Sequence, residues 1–329
     1  MADTFRLLAA ALPEARKTAW RKVSRRLLKL RLDLAGSNPE TRIRAERHLR
    51  GYQEYRRLTR ADAVVVSFGK SGRTWLRVMI SRLYQQVYDL PQDIVIGFDN
   101  FHNLDARIPR LFFAHDNYIG DYLGDTDTKD HFRDKKVLLM VRDPRDVAVS
   151  QYFQWQFRMR PGNKLLNGYP PHGAEVSPFE FVCHDGGGLP KIIRFMNLWA
   201  REMHKLRDFE LLRYEDLRAD PHASLTRVAR FLEIPATEAQ IRDAVDYAAY
   251  ENMKKMEAKE GFRMAGVRMA PGDRSNPDSF KVRRAKVGGY RDYFDDDEVR
   301  QIDTMLAETL DPVFGYQPTT PAPAETAPE

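Results

Sequence analysis

Residues 63–75 read AVVVSFGKSGRTW, and this stretch is the basis for predicting the fold. Its first six residues are mainly apolar and include three consecutive valines, which is typical of a buried strand. A short polar turn with two glycines follows. From Thr74 to Tyr84 apolar residues then recur at helical spacing. The stretch therefore predicts a strand, a loop suited to binding an anion, and a helix in succession.

The same order of strand and helix returns further along the chain. Apolar runs predict three more strands, at 111–114, 136–141 and 210–214. Asp143-Pro144 and Asp220-Pro221 each begin a helix, because Asp is a good N-cap and Pro fits the first helical position. This alternation indicates an α/β fold with a central parallel sheet flanked by helices.

The N-terminal part of the chain differs from the rest in charge. Residues 1–50 contain 13 Lys and Arg and five Asp and Glu, a net charge of +8, whereas the remainder carries −2. Helices are predicted over 14–34 and 39–58. For the first helix, docking of its leucines on the core is the favoured interpretation, and contact with an anionic membrane surface is the alternative.

Length and composition fit one globular domain behind this extension. The chain has 329 residues, 43% hydrophobic and 30% charged, and a single cysteine. One cysteine excludes an intrachain disulfide or a multi-cysteine zinc site and favours a cytoplasmic location, with membrane-peripheral attachment as an addition. We expect a basic helical extension over 1–60, an α/β domain over 61–316, and a disordered tail rich in Pro, Ala and Thr over 317–329.

The turn after the first strand has the composition of a phosphate-binding loop. Gly69 and Gly72 allow the backbone to curl closely, and Lys70 supplies a positive charge at a helix N-terminus. It is not a Walker A loop, because Val64 stands where that motif has its first glycine. Taken alone, the turn is equally consistent with an ordinary tight turn.

A second phosphate ligand is predicted at Arg142, which follows the strand at 136–141. Ligands of open α/β sheets bind beyond the carboxyl ends of the strands. A guanidinium can form two hydrogen bonds to a phosphate, and Ser150 can donate to the same group. Ion pairing with a neighbouring aspartate is the alternative, and it is the favoured interpretation for Arg145 and Asp146.

Four motifs together resemble the sulfotransferases that use 3′-phosphoadenosine 5′-phosphosulfate (PAPS). The family's 5′-phosphosulfate loop matches 70–75, its 3′-phosphate motif 141–150, its Tyr-Glu-Asp-Leu segment 214–217, and its basic loop 283–290. The motifs occur in the family's order within residues 64–294. The resemblance implies a P-loop-like nucleotide site, PAPS as cosubstrate, adenosine 3′,5′-bisphosphate (PAP) as product, and no metal.

The resemblance also implies a role for each matching residue. Lys70 would stabilise the departing phosphate, because sulfuryl transfer, like phosphoryl transfer, depends on positioning and charge stabilisation. Trp75 and Tyr214 would contact the adenine. Arg142 and Ser150 would hold the 3′-phosphate. The cofactor-binding residues implied in this way are Lys70, Ser71, Gly72, Arg73, Thr74, Trp75, Arg142, Ser150, Tyr214, Tyr250, Arg283, Arg284 and Ala285.

A general base is expected at His115, which ends the strand at 111–114. The acceptor must lose a proton as it attacks sulfur, and histidine is suited to accept it near neutral pH. The family has its catalytic histidine in this place, so the resemblance assigns that role to His115. Asp116 is the alternative base, or a group that orients the imidazole.

The acceptor is a hydroxyl or amine of a small molecule, a lipid or a carbohydrate. The segments 158–190 and 257–280 are rich in Gly and Pro and are expected to be long loops that cover the substrate. Four aromatic residues within 152–157 would either line an apolar acceptor pocket or belong to the core. They are Tyr152, Phe153, Trp155 and Phe157.

Two other functions stay open. A nucleotide kinase or other P-loop phosphotransferase is disfavoured by the missing Walker A loop. A non-catalytic nucleotide-binding protein is disfavoured by the presence of both Lys70 and His115. Nucleic acid is not an expected partner, because the positive charge is concentrated in the N-terminal segment.

Overall fold

Four parallel strands form the sheet at the centre of the protein, in the order β2-β1-β3-β4. They are β1 (Ala63–Ser67), β2 (Leu111–Ala114), β3 (Lys136–Val141) and β4 (Asp208–Arg213). The structure is a computed structural model that describes residues 19–20, 23–28, 30–258 and 271–317. The predicted α/β fold with a central parallel sheet is confirmed.

Helices cover both faces of this sheet. The α-helices are α1 (Pro39–Leu58), α2 (Arg73–Val87), α3 (Asn100–Leu104), α4 (Ile119–Leu123), α5 (Pro144–Phe157), α6 (Pro161–Leu166), α7 (Pro178–Cys183), α8 (Leu189–Glu202), α9 (Tyr214–Ala219), α10 (Pro221–Phe231), α11 (Glu238–Tyr247), α12 (Tyr250–Ala258) and α13 (Asp296–Thr309). Short 3₁₀-helices occupy Asp130–Phe132, Met203–Lys205, Pro277–Ser279, Gly289–Tyr293 and Pro312–Phe314. No described helix is long and apolar enough to cross a bilayer.

The core consists of two layers, one on each face of the sheet. Side chains alternate between the faces along a strand, so Val65 of β1 packs with α2, α10 and α11. Val64 and Val66 point to the opposite face and pack with α5, α8 and α13. Because both faces are covered, the strands are almost continuously apolar.

The predicted helix starts at Asp143 and Asp220 are confirmed. The Asp143 carboxylate accepts a hydrogen bond from the backbone N–H of Arg145 at 2.9 Å. Asp220 accepts one from the N–H of Ala223 at 2.8 Å. Each cap satisfies a backbone donor that the first helical turn leaves without a partner, and so fixes where the chain turns at the end of the preceding strand.

Two sequence expectations differ from the structure. Tyr214 was expected in the fourth strand, but it is the first residue of α9, and Glu215 beside it accepts the N–H of Asp143 at 3.0 Å. The expected long loop at 158–190 contains α6 and α7. Both helices have six residues, which is too short for a periodic pattern to show in the sequence.

Five apolar side chains of the N-terminal helical segment (the described residues of 19–34) are exposed and do not dock on the core. Its described residues are helical as far as residue 34. Its exposed apolar side chains are Trp20, Val23, Leu27, Leu30 and Leu34. The docked interpretation is therefore wrong for these five residues. Residues 14–18 of the predicted helix, and the predicted tail after residue 317, lie outside the described residues.

Helix α1, in contrast, packs tightly against the start of α4. A Cβ atom at Gly51 would lie 2.1 Å from the carbonyl oxygen of Tyr118 and 2.8 Å from Cβ of Tyr122. Arg47 on the same helix forms an ion pair with Asp121 at 2.8 Å. Close backbone approach at Gly51 therefore sets the position of α1.

We expect Gly51→Ala to lower the free energy of unfolding by about 1–3 kcal/mol, because the new methyl group overlaps a backbone oxygen. Urea unfolding measures this change. The control is Gly162→Ala in α6, where an added Cβ meets nothing within 4 Å. Equal stability of the two variants would contradict the tight contact between α1 and α4.

Candidate active site

The predicted functional segments meet at the carboxyl ends of the strands. One cavity of about 760 Å³ opens there, within the size range of small-molecule sites. Of the residues to which the resemblance assigns a catalytic or cofactor-binding role, only Ser71 does not line it. Those that line it are Lys70, Gly72, Arg73, Thr74, Trp75, His115, Arg142, Ser150, Tyr214, Tyr250, Arg283, Arg284 and Ala285. Their individual roles stay predictions.

The loop after β1 brings the backbone close to β3 and α9. Gly72 has φ +93°, and a Cβ there would lie 2.5 Å from Cδ2 of Tyr214. Lys70 also has a positive φ, of 75°. Helix α2 begins directly after this turn, at Arg73, so its free N–H groups face the cavity.

Cationic side chains surround the phosphate-binding loop. Removal from water lowers the pKa of Lys70 well below its usual range, and the neighbouring cations Lys281 and Arg158 lower it further. The same effects reduce the pKa of Lys281 to about 8. A bound polyanion would reverse both shifts, because an opposite charge favours the protonated amine. The site is therefore built to receive several negative charges.

Lys281 and Glu257 also belong to this site, although neither was predicted from the sequence. Glu257 on α12 is fully buried, and its carboxylate accepts the backbone N–H groups of Lys281 at 2.6 Å and Val282 at 2.8 Å. Arg158 at the end of α5 also contacts this carboxylate, at 3.4 Å. Glu257 thus holds the start of the basic loop against the cavity. The position of Lys281, two residues before Arg283, is the signal that could have revealed it.

His115 is held in one tautomer. Its Nδ1 lies 2.8 Å from the carbonyl oxygen of Ser67, so Nδ1 carries the proton and Nε2 has the lone pair. The Arg73 guanidinium donates to Nε2 at 2.7 Å and also to the carbonyl of Ala114. Burial and then the charge of Arg73 lower the pKa of His115 to about 3. The imidazole is therefore neutral, and its basic nitrogen is occupied by Arg73.

Asp116 does not face the imidazole. Its buried carboxylate lies 2.6 Å from the Lys129 ammonium and 3.7 Å from Nε2 of His131. Asp116 does not line the cavity either. The geometry therefore supports His115 over Asp116 as the residue that meets an acceptor.

Arg142 is positioned by contacts on both sides. Its Nη2 lies 3.1 Å from Oδ2 of Asp146 and donates to the carbonyl of Lys286 at 3.0 Å. Its guanidinium carbon lies 4.5 Å from the centre of the Tyr214 ring. Asp146 in turn accepts the backbone N–H of Tyr290 at 2.9 Å. These contacts join α5 to the basic loop.

Arg145 forms the ion pairs that were expected of it. Its guanidinium binds Asp143 at 2.7 Å and Asp303 on α13 at 2.6 Å. Arg145 does not line the cavity. It is a structural residue, as the sequence analysis favoured.

The aromatic residues of the site are tied to the segments around them. Trp75 donates its indole N–H to the carbonyl of Ala248 at 2.8 Å, and its ring meets that of Tyr214 edge to face. The Tyr250 hydroxyl donates to the carbonyl of Arg283 at 2.6 Å. Arg283 stacks on the Phe153 ring at 3.4 Å. The aromatic residues predicted to bind the cofactor are therefore held in place by contacts with one another and with the segments beside them, including the basic loop.

The aromatic residues of 152–157 do not line the cavity. Trp155 is fully buried and donates its N–H to the carbonyl of Pro170 at 2.9 Å, and Phe153 belongs to the core. The alternative of an apolar acceptor pocket built from this segment is therefore wrong, and the core alternative holds for these two residues. Among the described residues, no group of three or more His, Cys, Asp or Glu could hold a metal ion.

A family model described as "Sulfotransferase domain" matches residues 127–313, more than half of the chain. The chain belongs to the sulfotransferase family. The predicted family and enzyme class are confirmed, and the kinase alternative is not favoured. In this sulfotransferase, the loop at 69–74 and His115 lie N-terminal to the matched segment.

Individual sulfotransferases match most of the chain. Cytosolic sulfotransferase 3 of Arabidopsis thaliana is 24% identical over 260 residues, which is 76% of this chain and 76% of that protein. The amine sulfotransferase of Oryctolagus cuniculus is 24% identical over 263 residues, covering 76% and 80%. A crystal structure of a mouse sulfotransferase in complex with PAP has a TM-score of 0.52 at 20% identity, covering 76% of this chain and 84% of that chain. That structure shares the fold.

The low pKa of His115 predicts a pH-dependent stability. An unfolded histidine gains a proton near pH 6.5, whereas His115 in the folded protein gains one only near pH 3. The unfolded state therefore binds more protons between these pH values. The free energy of unfolding consequently decreases as the pH is lowered, by up to about 1.4 kcal/mol per pH unit. We expect the stability advantage of the wild type over His115→Gln to shrink by about 2 kcal/mol from pH 7 to pH 5.

Urea unfolding at pH 7, 6 and 5 measures this difference. His204→Gln, in an exposed 3₁₀-helix, controls for the loss of a surface histidine. A wild-type advantage over His115→Gln that stays constant with pH would contradict a neutral, enclosed imidazole.

Proposed function

We propose that this sulfotransferase transfers the sulfuryl group of PAPS to a hydroxyl or amine of a small-molecule acceptor and releases PAP. The convergence of all but one of the predicted residues on one cation-rich cavity carries this proposal. The PAP bound in the mouse relative supports the choice of nucleotide, and the names of the plant relatives support a cytosolic location. We also propose the division of the chain expected from the sequence. It consists of a basic helical extension over 1–60, an α/β domain over 61–316 and a disordered tail over 317–329.

The residues present fit a nucleotide with phosphate groups at both ends. The N-terminus of α2 and Lys70 would bind the 5′-phosphosulfate. Arg142, Ser150 and Arg283 would bind the 3′-phosphate. These three residues would select PAPS over ATP, because their side chains have no phosphate to bind when the 3′-phosphate is missing.

In the proposed transfer step, His115 accepts the proton that the acceptor group loses. The acceptor oxygen bonds to sulfur, the bond from sulfur to the phosphate oxygen breaks, and the acceptor proton passes to Nε2 of His115. Lys70 stabilises the charge that collects on the departing phosphate. For Nε2 to accept a proton, Arg73 must move off it, and the sulfuryl or phosphate oxygens supply the anion that would attract Arg73.

We expect PAP to raise the melting temperature of the protein by several degrees, and ATP or AMP to raise it less, because only PAP engages the 3′-phosphate ligands. Arg142→Ala should remove most of the PAP-specific shift. Arg207→Ala, an exposed arginine outside the cavity, is the matched control. Differential scanning fluorimetry over a range of ligand concentrations makes the measurement.

Two outcomes of this measurement would contradict the proposal. Equal stabilisation by PAP and ATP, or an unchanged PAP shift in Arg142→Ala, would mean that the cavity does not select a 3′-phosphate. The proposed donor would then be wrong, although the family and the fold would stand.

We also propose that the N-terminal helical segment contacts an anionic membrane surface. Trp20, Leu30 and Leu34 are 68%, 55% and 80% exposed, and the surrounding 1–50 region carries a net charge of +8. Exposed apolar side chains among basic residues are typical of helices that lie in a lipid interface. The site opens elsewhere on the fold, so this contact would serve localisation.

We expect the full-length protein to sediment with vesicles that contain phosphatidylserine and not with phosphatidylcholine vesicles. The triple variant Trp20→Ser, Leu27→Ser and Leu30→Ser should lose most of this binding. Leu165→Ser, which removes a leucine of similar exposure (62%) outside the segment, should retain it. Unchanged sedimentation of the triple variant would exclude a membrane as the occupant of this face.

A further inference from the structure

The cavity continues beyond His115 into a part that none of the four motifs supplies. We call this part the polar half, and it comprises Arg50, Tyr118, Asn163, Asn167, Tyr169 and Lys191. Tyr118 lies three residues after His115 in the chain, and both residues line the same cavity. In a sulfotransferase this is where an acceptor has to enter, since the nucleotide motifs occupy the other side of His115.

Hydrogen bonds between side chains fix the walls of the polar half. The Tyr118 hydroxyl donates to Oδ1 of Asn167 at 2.9 Å, and Arg50 donates to Oδ1 of Asn163 at 3.2 Å. Gln151, which lies beside the phosphate-binding loop at Gly69, donates to the Tyr169 hydroxyl at 2.9 Å. These contacts present amide and hydroxyl groups in fixed positions, which suits a ligand with several hydroxyls.

Lys191 on α8 brings a positive charge into this half of the cavity. Its ammonium donates to the carbonyls of Asn167 at 2.6 Å and Gly186 at 3.0 Å. An ammonium has three N–H donors, so one remains for a ligand. Within the described part of the chain, no carboxylate forms an ion pair with Lys191. Desolvation lowers its pKa to about 8, followed by the nearby charge of Arg47, so a bound anion would stabilise its protonated form.

The carboxylates near this region offset only part of its positive charge, and Asp185 acts on Lys191 without forming an ion pair with it. Arg50 is paired with Glu46 at 2.5 Å, but Glu46 does not line the cavity. Glu54, one turn further along α1, does not line it either, and burial raises the pKa of its carboxyl to about 7. Arg160 adds a further exposed guanidinium to the lining. The polar half is therefore electropositive.

We propose that the acceptor is a small, hydroxyl-rich molecule that also carries a phosphate or carboxylate group. Lys191 and Arg50 would bind the anionic group while a hydroxyl of the same molecule lies at His115. Amide and phenol groups of the polar half would hold the other hydroxyls. This inference rests on the proposed function, because it takes PAPS to be the donor on the other side of His115.

The test compares acceptors that differ only in charge. Purified full-length protein is supplied with PAPS and with glucose, glucose 6-phosphate or glucuronate, and with 4-nitrophenol as an apolar acceptor, and PAP release is measured. We expect kcat/KM for an anionic sugar to exceed that for glucose and for 4-nitrophenol by at least about tenfold, as one charge-assisted hydrogen bond permits. Comparison of glucose 6-phosphate with glucuronate shows whether the site prefers a phosphate or a carboxylate.

Two variants connect the preference to the polar half. Lys191→Gln and Arg50→Gln should each lower kcat/KM for the anionic sugar about tenfold or more, mainly through KM, and leave PAP affinity intact. Lys135→Gln is the matched control for the first, because Lys135 also donates to two backbone carbonyls, those of Thr59 and Ala61, but lies outside the cavity. Arg44→Gln, on the exposed side of α1, is the control for the second.

Failure of this inference can be told apart from failure of the proposed function. Binding of PAP with a preference for 4-nitrophenol, or an unchanged preference in Lys191→Gln, overturns the anionic acceptor alone. If no sugar reacts, calorimetric titration of glucose 6-phosphate into the PAP-loaded protein decides, and absence of binding also overturns the inference. Absence of PAP binding overturns the proposed function itself.

Discussion

The carboxyl ends of four parallel strands meet at one edge of the sheet, and cations withdrawn from water collect there around the buried carboxylate of Glu257. After burial itself, Lys281 and Arg158 lower the pKa of Lys70, and Arg158 lowers the pKa of Lys281. Such a cluster opposes folding unless an anion offsets the repulsion. The rest of the site follows from this constraint: α12 supplies Glu257, the basic loop is anchored to it, and the helix N-terminus adds positive dipole charge in the same direction.

Under the proposed function, the contact between Arg73 and His115 would link nucleotide binding to acceptor chemistry. The guanidinium occupies the imidazole nitrogen that would take the acceptor's proton. An arginine that has two possible partners, a neutral imidazole and a polyanion, is held far more strongly by the polyanion. The base would then become available only when the donor is in place. This arrangement would disfavour unproductive proton exchange at an empty site.

Helix α1 contributes to the cavity, although it lies in the proposed N-terminal extension and N-terminal to the segment that the family model matches. Its approach to α4 at Gly51 places Arg50 in the cavity lining. The proposed acceptor side of the cavity draws on α1, α6 and α8, and the four motifs would supply the nucleotide side. A family can keep one donor and change its acceptor if the two sides are built from different parts of the chain.

The sequence by itself determined the parallel sheet, the helix starts at Asp143 and Asp220, and the nucleotide motifs, because each depends on neighbours within a few residues: a valine run, a capping side chain, a glycine turn. It did not determine the partners of Glu257, the occupied nitrogen of His115 or the polar half of the cavity that Arg50 and Lys191 line. Residues 50, 115 and 191 are far apart along the chain and meet only in the folded protein. Pairings of this kind are set by how helices pack on the sheet, which no local pattern records.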